Sequence, residues 1–273
     1  MTLCDWQGAT PSHLAHRRGH SRLAAQLSEG GADSLPSEQE LVAFELAEGI
    51  AMRERNRLRL SIEERPPLHT PFVLPHLLPS EQCLDLVKGA ERLAASRGWH
   101  SKRHRHYATV DMPLSDLPHR LYIEARAAID DQVLPNMRRS FSCRPLRVRE
   151  AFLVKYEADG LEDGVVVSGA PGRRQAGLGM HRDGTLLNCV ILLSNPSDFA
   201  GGGTVFAPPL DKTYHIARGD CLCSSGQLLH GARPVTGGTR FVLVAFIDEL
   251  QEEAMEVEEG GEMEVDWRAQ GFR

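Results

Sequence analysis

The spacing His181-x-Asp183, with His230 and then Arg240 far downstream, constrains this chain more than any other feature. In an extended strand, side chains two apart share a face, so a strand there would let His181 and Asp183 reach one metal together. His230 then has to arrive from a second strand. The intervening sequence agrees. Leu186-Leu187-Asn188-Cys189-Val190-Ile191-Leu192-Leu193 has the length and apolar content of a buried strand. Gly201-Gly202-Gly203 makes a turn into a short strand at Thr204-Val205-Phe206. Arg240 opens a further apolar run to Ile247, and alternation puts Arg240, Val242 and Val244 on one face. These elements predict a barrel of short strands with a charge pointing into it.

Two imidazoles and one carboxylate are the ligand set that grips one face of a non-haem iron(II) and leaves positions open. A buried arginine is unfavourable unless paired, and a carboxylate is its best partner through two parallel hydrogen bonds. The pattern therefore predicts an iron site at His181, Asp183 and His230, and an anchor at Arg240 for a carboxylate-bearing ligand.

Residues from about Pro71 to Asp248 resemble the catalytic domain of the prolyl and lysyl hydroxylases, which are iron(II)- and 2-oxoglutarate-dependent dioxygenases. The resemblance rests on Phe152-Leu153-Val154-Lys155-Tyr156, His181-Arg182-Asp183-Gly184-Thr185, Gly201-Gly202-Gly203-Thr204-Val205-Phe206, His230-Gly231, and Gly238-Thr239-Arg240-Phe241 through Phe246-Ile247-Asp248. The triple glycine and the Gly-Thr-Arg-aromatic ending are more similar to the lysyl branch.

The resemblance implies a mainly β chain with flanking helices, built on a double-stranded β-helix or jelly-roll barrel. It implies Fe(II) on His181, Asp183 and His230, with 2-oxoglutarate and O2 as cosubstrates and L-ascorbate as a candidate further cofactor. Arg240 would hold the distal carboxylate of 2-oxoglutarate, and Tyr156 would line its pocket. Some relatives carry a tyrosine near Leu192; its absence here shifts that task to Arg240, with Asn188 or Thr204 as helpers. The implied reaction hydroxylates a C–H bond, most naturally of a peptidyl prolyl or lysyl side chain, with a small molecule as the other option, and releases succinate and CO2. The competing expectation is a catalytically idle barrel serving as a protein-binding module.

Gly8-Ala9-Thr10-Pro11, Gly19-His20 and Gly30-Gly31-Ala32-Asp33 are similar to the punctuation of one ankyrin repeat, with Ser12 in place of the usual leucine. A single repeat cannot bury its apolar face alone, so it is expected to pack on the following helix or to be the remnant of a longer array, and in the binding-module reading it recruits a protein partner. The division expected is an ankyrin-like repeat over 1–34, a linker helix over 35–70, the dioxygenase domain over 71–248 and an acidic tail over 249–273. Ser37 with Glu40 fits a capping box opening the linker helix. Its charge-dense end, Met52 to Arg65, is expected to face solvent until Pro66-Pro67 stops it. A further helix is predicted to begin at Pro79-Ser80-Glu81 and to carry Leu84, Val87, Ala90 and Leu93, and another to run from about Pro118 to Leu134, ended by Pro135. Leu146, Val148, Phe152, Val154 and Tyr156 share one strand parity. The run Trp99 to Asp111 is basic and aromatic, and is expected to shape the substrate entrance. Glu157 to Met180 is glycine-rich and is expected to cover the site as a lid.

Composition narrows the rest. The 273 residues carry a net charge of −6, which gives no overall footprint for nucleic acid. No stretch has the length and apolarity of a membrane helix, and Met1 to Gly8 lacks a basic-then-apolar leader. The six cysteines show no zinc spacing and read as reduced core residues, which places the chain in the cytoplasm or nucleus.

Overall fold

The computed structural model describes residues 58, 62–99, 109–158 and 175–250. The ankyrin-like repeat, most of the linker helix, the basic run 100–107, the greater part of the glycine-rich segment and the tail beyond Leu250 lie outside them.

Eleven strands form two antiparallel sheets. They are β1 Phe72–Leu74, β2 Asp111–Pro113, β3 Leu146–Glu157, β4 Leu178–His181, β5 Leu187–Leu192, β6 Phe199–Gly201, β7 Thr204–Phe206, β8 Lys212–Tyr214, β9 Cys221–Ser225, β10 His230–Ala232 and β11 Val235–Glu249. The larger sheet runs β1-β9-β5-β11-β3-β2, with β6 also on β11, and the smaller runs β4-β10-β7-β8. From β3 onward the chain passes back and forth between the two antiparallel sheets, consistent with the jelly-roll arrangement expected.

The core is divided by the larger sheet. On the inner face, Phe152, Val154, Tyr156, Leu192, Val235 and Val242 form one apolar cluster. On the outer face, Leu153, Ile191, Leu243, Ala245 and Ile247 pack with helical residues such as Leu86, Ala90, Leu121 and Ile129. Because β5 is covered on both faces, nearly all of it is buried, which is why its sequence reads as an unbroken apolar run.

Several details depart from the sequence pattern. The helix α1, Ser80–Arg97, buries Cys83, Leu86 and Ala90, while Leu84 is 40% exposed. The predicted stripe is thus rotated toward its neighbour. The helix α2, His119–Ala128, passes through a π-turn at Ile129–Val133 into α3, Leu134–Ser140. Pro135 does not end the helix. It sits in the first turn of α3, where no intrahelical N–H bond is required of it. Upstream, Leu58, Ile62 and Leu68 are buried in the core, so the charge-dense stretch is not wholly solvent-facing; Glu63 and Glu64 are its exposed side.

The shared parity along β3 also fails. Glu150 pairs with Phe246 and Val148 with Ile247, so Arg149 is an extra residue opposite no partner. Such a bulge reverses which side chains face inward. Leu146 and Val148 consequently pack on the outer cluster, whereas Phe152, Val154 and Tyr156 face inward. Among the described residues no helix is long and apolar enough to cross a membrane.

Candidate active site

His181 ends β4 and His230 opens β10, and the two are direct partners across the ladder. Their rings lie 4.5 Å apart. Asp183 follows β4 on a segment tied to the turn before His230: its N–H donates to Gly226 O at 2.8 Å, and Gln227 Nε2 donates to Asp183 O at 2.8 Å and Thr185 O at 2.9 Å. Gly226 is needed there, because a Cβ would stand 2.6 Å from Thr185 O and 2.9 Å from Asp183 Cβ.

The result is a convergent donor set. The ligand atoms of His181, Asp183 and His230 all lie within 4.8 Å of one another. His181 Nε2 is 3.4 Å from Asp183 Oδ1, and His230 Nε2 is 3.6 Å from Asp183 Oδ2. Each imidazole has its other nitrogen committed: His181 Nδ1 to Gly179 O and His230 Nδ1 to Leu228 O, both at 2.8 Å. A carbonyl can only accept, so each Nδ1 carries the proton and each Nε2 turns its lone pair toward the centre. Such backbone bonds set tautomer and ring orientation at metal-binding histidines.

Burial shapes the charges. Burial disfavours ionised Asp183, yet His230, His181 and the Asn188 amide outweigh it and hold the carboxyl below its usual range. For His181, burial is outweighed by the hydrogen bond and charge of Asp183, so its pKa is raised. For His230, burial dominates and its pKa is lowered. The cluster thus keeps a full carboxylate beside two imidazoles of unequal basicity, and a divalent cation matches that donor set.

Arg240 and Tyr156 are direct partners across β11 and β3. The guanidinium carbon stands 5.5 Å from the centre of the Tyr156 ring. Arg240 is only 3% exposed, and among the described residues no carboxylate pairs with it. Burial weakens its hold on the proton and the Tyr156 phenol acts in the opposite sense. Burial in turn pushes the Tyr156 phenol up to about 12, so it stays a neutral hydrogen-bond donor. A cavity of about 130 Å³ adjoins Arg240, lined by Leu192, Phe199, Gly201, Gly203 and Ile216 among others. A buried cation at a cavity that Leu192, Phe199, Ile216, Tyr214 and His215 also line, with the neutral Tyr156 phenol as its strand partner, fits a bound carboxylate.

Asn188, expected beside Arg240 as a helper, has its amide at the His-Asp-His cluster. Its Nδ2 donates to Asp183 Oδ2 and lies 3.3 Å from His230 Nε2. Thr204 is buried on β7 opposite Ala232. Sequence reading missed Ser224, whose hydroxyl donates to Asn188 Oδ1. Alternation beside Cys221 and Cys223 places Ser224 on the opposite, inward face, and that signal was available. Nothing in the sequence marks Gln227, whose role depends on how two turns meet.

No family model matches the chain, and no curated protein matches it in sequence. Solved structures do resemble it. A prolyl-4-hydroxylase from Pseudomonas putida is 12% identical with a TM-score of 0.47, over 72% of this chain and all of that one (100%). A 2OG-Fe(II) oxygenase family protein from Burkholderia pseudomallei is 16% identical with a TM-score of 0.47, over 71% and 89%. A viral collagen prolyl hydroxylase from Paramecium Bursaria Chlorella virus-1 is 14% identical with a TM-score of 0.45, over 66% and 96%. The functional reading below rests on side chains, not on these likenesses.

Proposed function

We propose that the chain is an iron(II)- and 2-oxoglutarate-dependent dioxygenase that hydroxylates a C–H bond, with a peptidyl prolyl or lysyl side chain as substrate. The observation that carries this reading is the pairing of two centres in one barrel: a buried His-Asp-His donor set and a buried arginine without a carboxylate partner among the described residues.

The residues fit both groups. His181 and His230 would hold the metal through their Nε2 lone pairs and Asp183 through its carboxylate, three donors on one face. Arg240 would hold the distal carboxylate of the cosubstrate by two parallel charge-assisted hydrogen bonds, with the Tyr156 phenol as a further donor. When bound, iron with the 2-oxo acid supplies the activation of dioxygen that puts one oxygen atom into the substrate C–H bond and the other into succinate. The protein's share is to fix the donors before anything binds and to keep the chamber dry. Leu192, Phe199 and Ile216, which line the cavity beside Arg240, would do the latter as an apolar wall that strengthens charge interactions inside.

The test is succinate formation from 2-oxoglutarate by the full chain loaded anaerobically with Fe(II) and then exposed to oxygen, with a prolyl and lysyl peptide panel. We expect turnover by wild type, loss by at least about 100-fold in His181→Ala, and gain of a single oxygen atom in one peptide by mass spectrometry. Background-level succinate from wild type and variant alike would reject the enzyme and favour a binding role.

A further inference from the structure

Three buried polar side chains stand in a row behind the donor set: Ser224, Asn188 and Asp183. Asn188 and Ser224 are direct partners across β5 and β9, and each is 2% exposed. Their hydrogen-bond directions follow from chemistry alone. The ionised carboxylate can only accept, so the Asn188 group facing it must be the NH2. The amide oxygen then faces Ser224, and the hydroxyl donates to it. The same NH2 carries two protons, and it has two neighbours: Asp183 Oδ2 and, at 3.3 Å, the lone pair of His230 Nε2.

We propose that Asn188, anchored by Ser224, is a positioning residue: before the metal arrives it bridges Asp183 and His230, and once the metal takes the His230 Nε2 lone pair it keeps its hold on Asp183 Oδ2. This inference rests on the reading of His181, Asp183 and His230 as a metal centre. One amide does for two ligands what a cation would do, without adding charge. The bond to Asp183 Oδ2 also singles out Oδ1, 3.4 Å from His181 Nε2, as the oxygen left free of the amide. A carboxylate so restrained would offer a metal Oδ1 alone, leaving room for a 2-oxo acid. Asn188 thus acts through Asp183, a role different from direct contact with the cosubstrate.

The experiment is calorimetric titration of the metal-free full chain with Co(II), without 2-oxoglutarate, alongside the visible absorption spectrum of the Co(II) form. Asn188→Leu, which keeps the branched heavy-atom outline but removes the polar atoms, should weaken Co(II) binding by about 10–100-fold and alter the spectrum. Ser224→Ala, which removes only the anchor, should weaken it by a smaller factor, roughly 3–10-fold. The double variant should bind no more weakly than Asn188→Leu alone, because both act through one chain of bonds. Asn188→Leu binding Co(II) as tightly as wild type, with an unchanged spectrum, would overturn the proposal. So would a loss confined to 2-oxoglutarate affinity, which would assign Asn188 to the cosubstrate. If Asn188→Leu does not fold, Ser224→Ala decides alone, and wild-type affinity in it counts against the relay. Failure of wild type itself to bind Co(II) or Fe(II) would instead overturn the metal-centre reading and the relay with it.

Discussion

Arg240 is a residue unfavourable for the fold that the proposed function puts to use as the holder of the cosubstrate carboxylate. Its guanidinium is buried, and no carboxylate among the described residues neutralises it. Replacing it with methionine keeps the length of the stem and removes the charge. We therefore expect Arg240→Met to be neutral or to raise the stability of the ligand-free protein by about 1–3 kcal/mol, measured by urea unfolding. The same variant should bind 2-oxoglutarate at least about 100-fold more weakly, since two charge-assisted hydrogen bonds are lost. A variant with lower stability and unchanged affinity would show that Arg240 is a structural residue. The presence of this arginine, and of His181, Asp183 and His230, was legible in the sequence because each is a charged or metal-binding side chain at a definite place in an apolar strand pattern. Asn188 was legible too, but its contacts were not. An amide on an inward strand position can face any polar neighbour, and only the approach of β9 selects Ser224 on one side and Asp183 on the other.

Elements show where pattern reading stops. The period of two located β3, β5 and β11, and it placed Arg240, Val242 and Val244 on one face. It could not see the extra residue at Arg149, because a bulge is invisible until the partner strand is known. Pro135 misled for a related reason: a proline ends a regular helix, but a π-turn ahead of it supplies a fresh first turn. The turn from β6 to β7 carries a specific expectation. Gly202 has φ +73°, and a Cβ there would lie 3.0 Å from Arg240 Cδ and 3.3 Å from Phe199 Cε2. Gly202→Ala should therefore destabilise the protein by about 1–3 kcal/mol. It should also weaken 2-oxoglutarate binding, because the alternative to backbone strain is displacement of the arginine stem. Denaturant titration together with cosubstrate binding checks both, and full retention of both would show that the turn is looser than its geometry.

At the scale of the whole molecule, the two ends of the described region are joined by one ion pair. Arg65 donates to both carboxylate oxygens of Glu249 at 2.7 and 3.0 Å, and the Arg144 N–H adds a third bond at 2.9 Å. Burial works against the charged form of Glu249, but Arg65 outweighs it and the carboxyl is held below its ordinary value of 4.5. A depressed carboxyl adds stability above its unfolded pKa and loses it as pH falls through the folded one. Glu249→Gln should therefore lower stability by about 1 kcal/mol near neutral pH. The gap to wild type should close as pH drops below about 4.5 toward the depressed value. A gap in melting temperature that stays constant from pH 7 to the acid limb would show that the charge contributes nothing.

By itself the sequence determined the donors, the cationic anchor and the strands that bear them, because those follow from residue chemistry and a local period. The tertiary structure alone decided which nitrogen of each imidazole is free, that Arg240 has no carboxylate beside it among the described residues, and that Ser224 and Asn188 back Asp183. The surroundings of Arg240 and the Ser224–Asn188–Asp183 chain depend on how segments far apart in the sequence meet; the imidazole tautomers are set by carbonyls only two residues away, but residue identity does not say which way that local backbone turns.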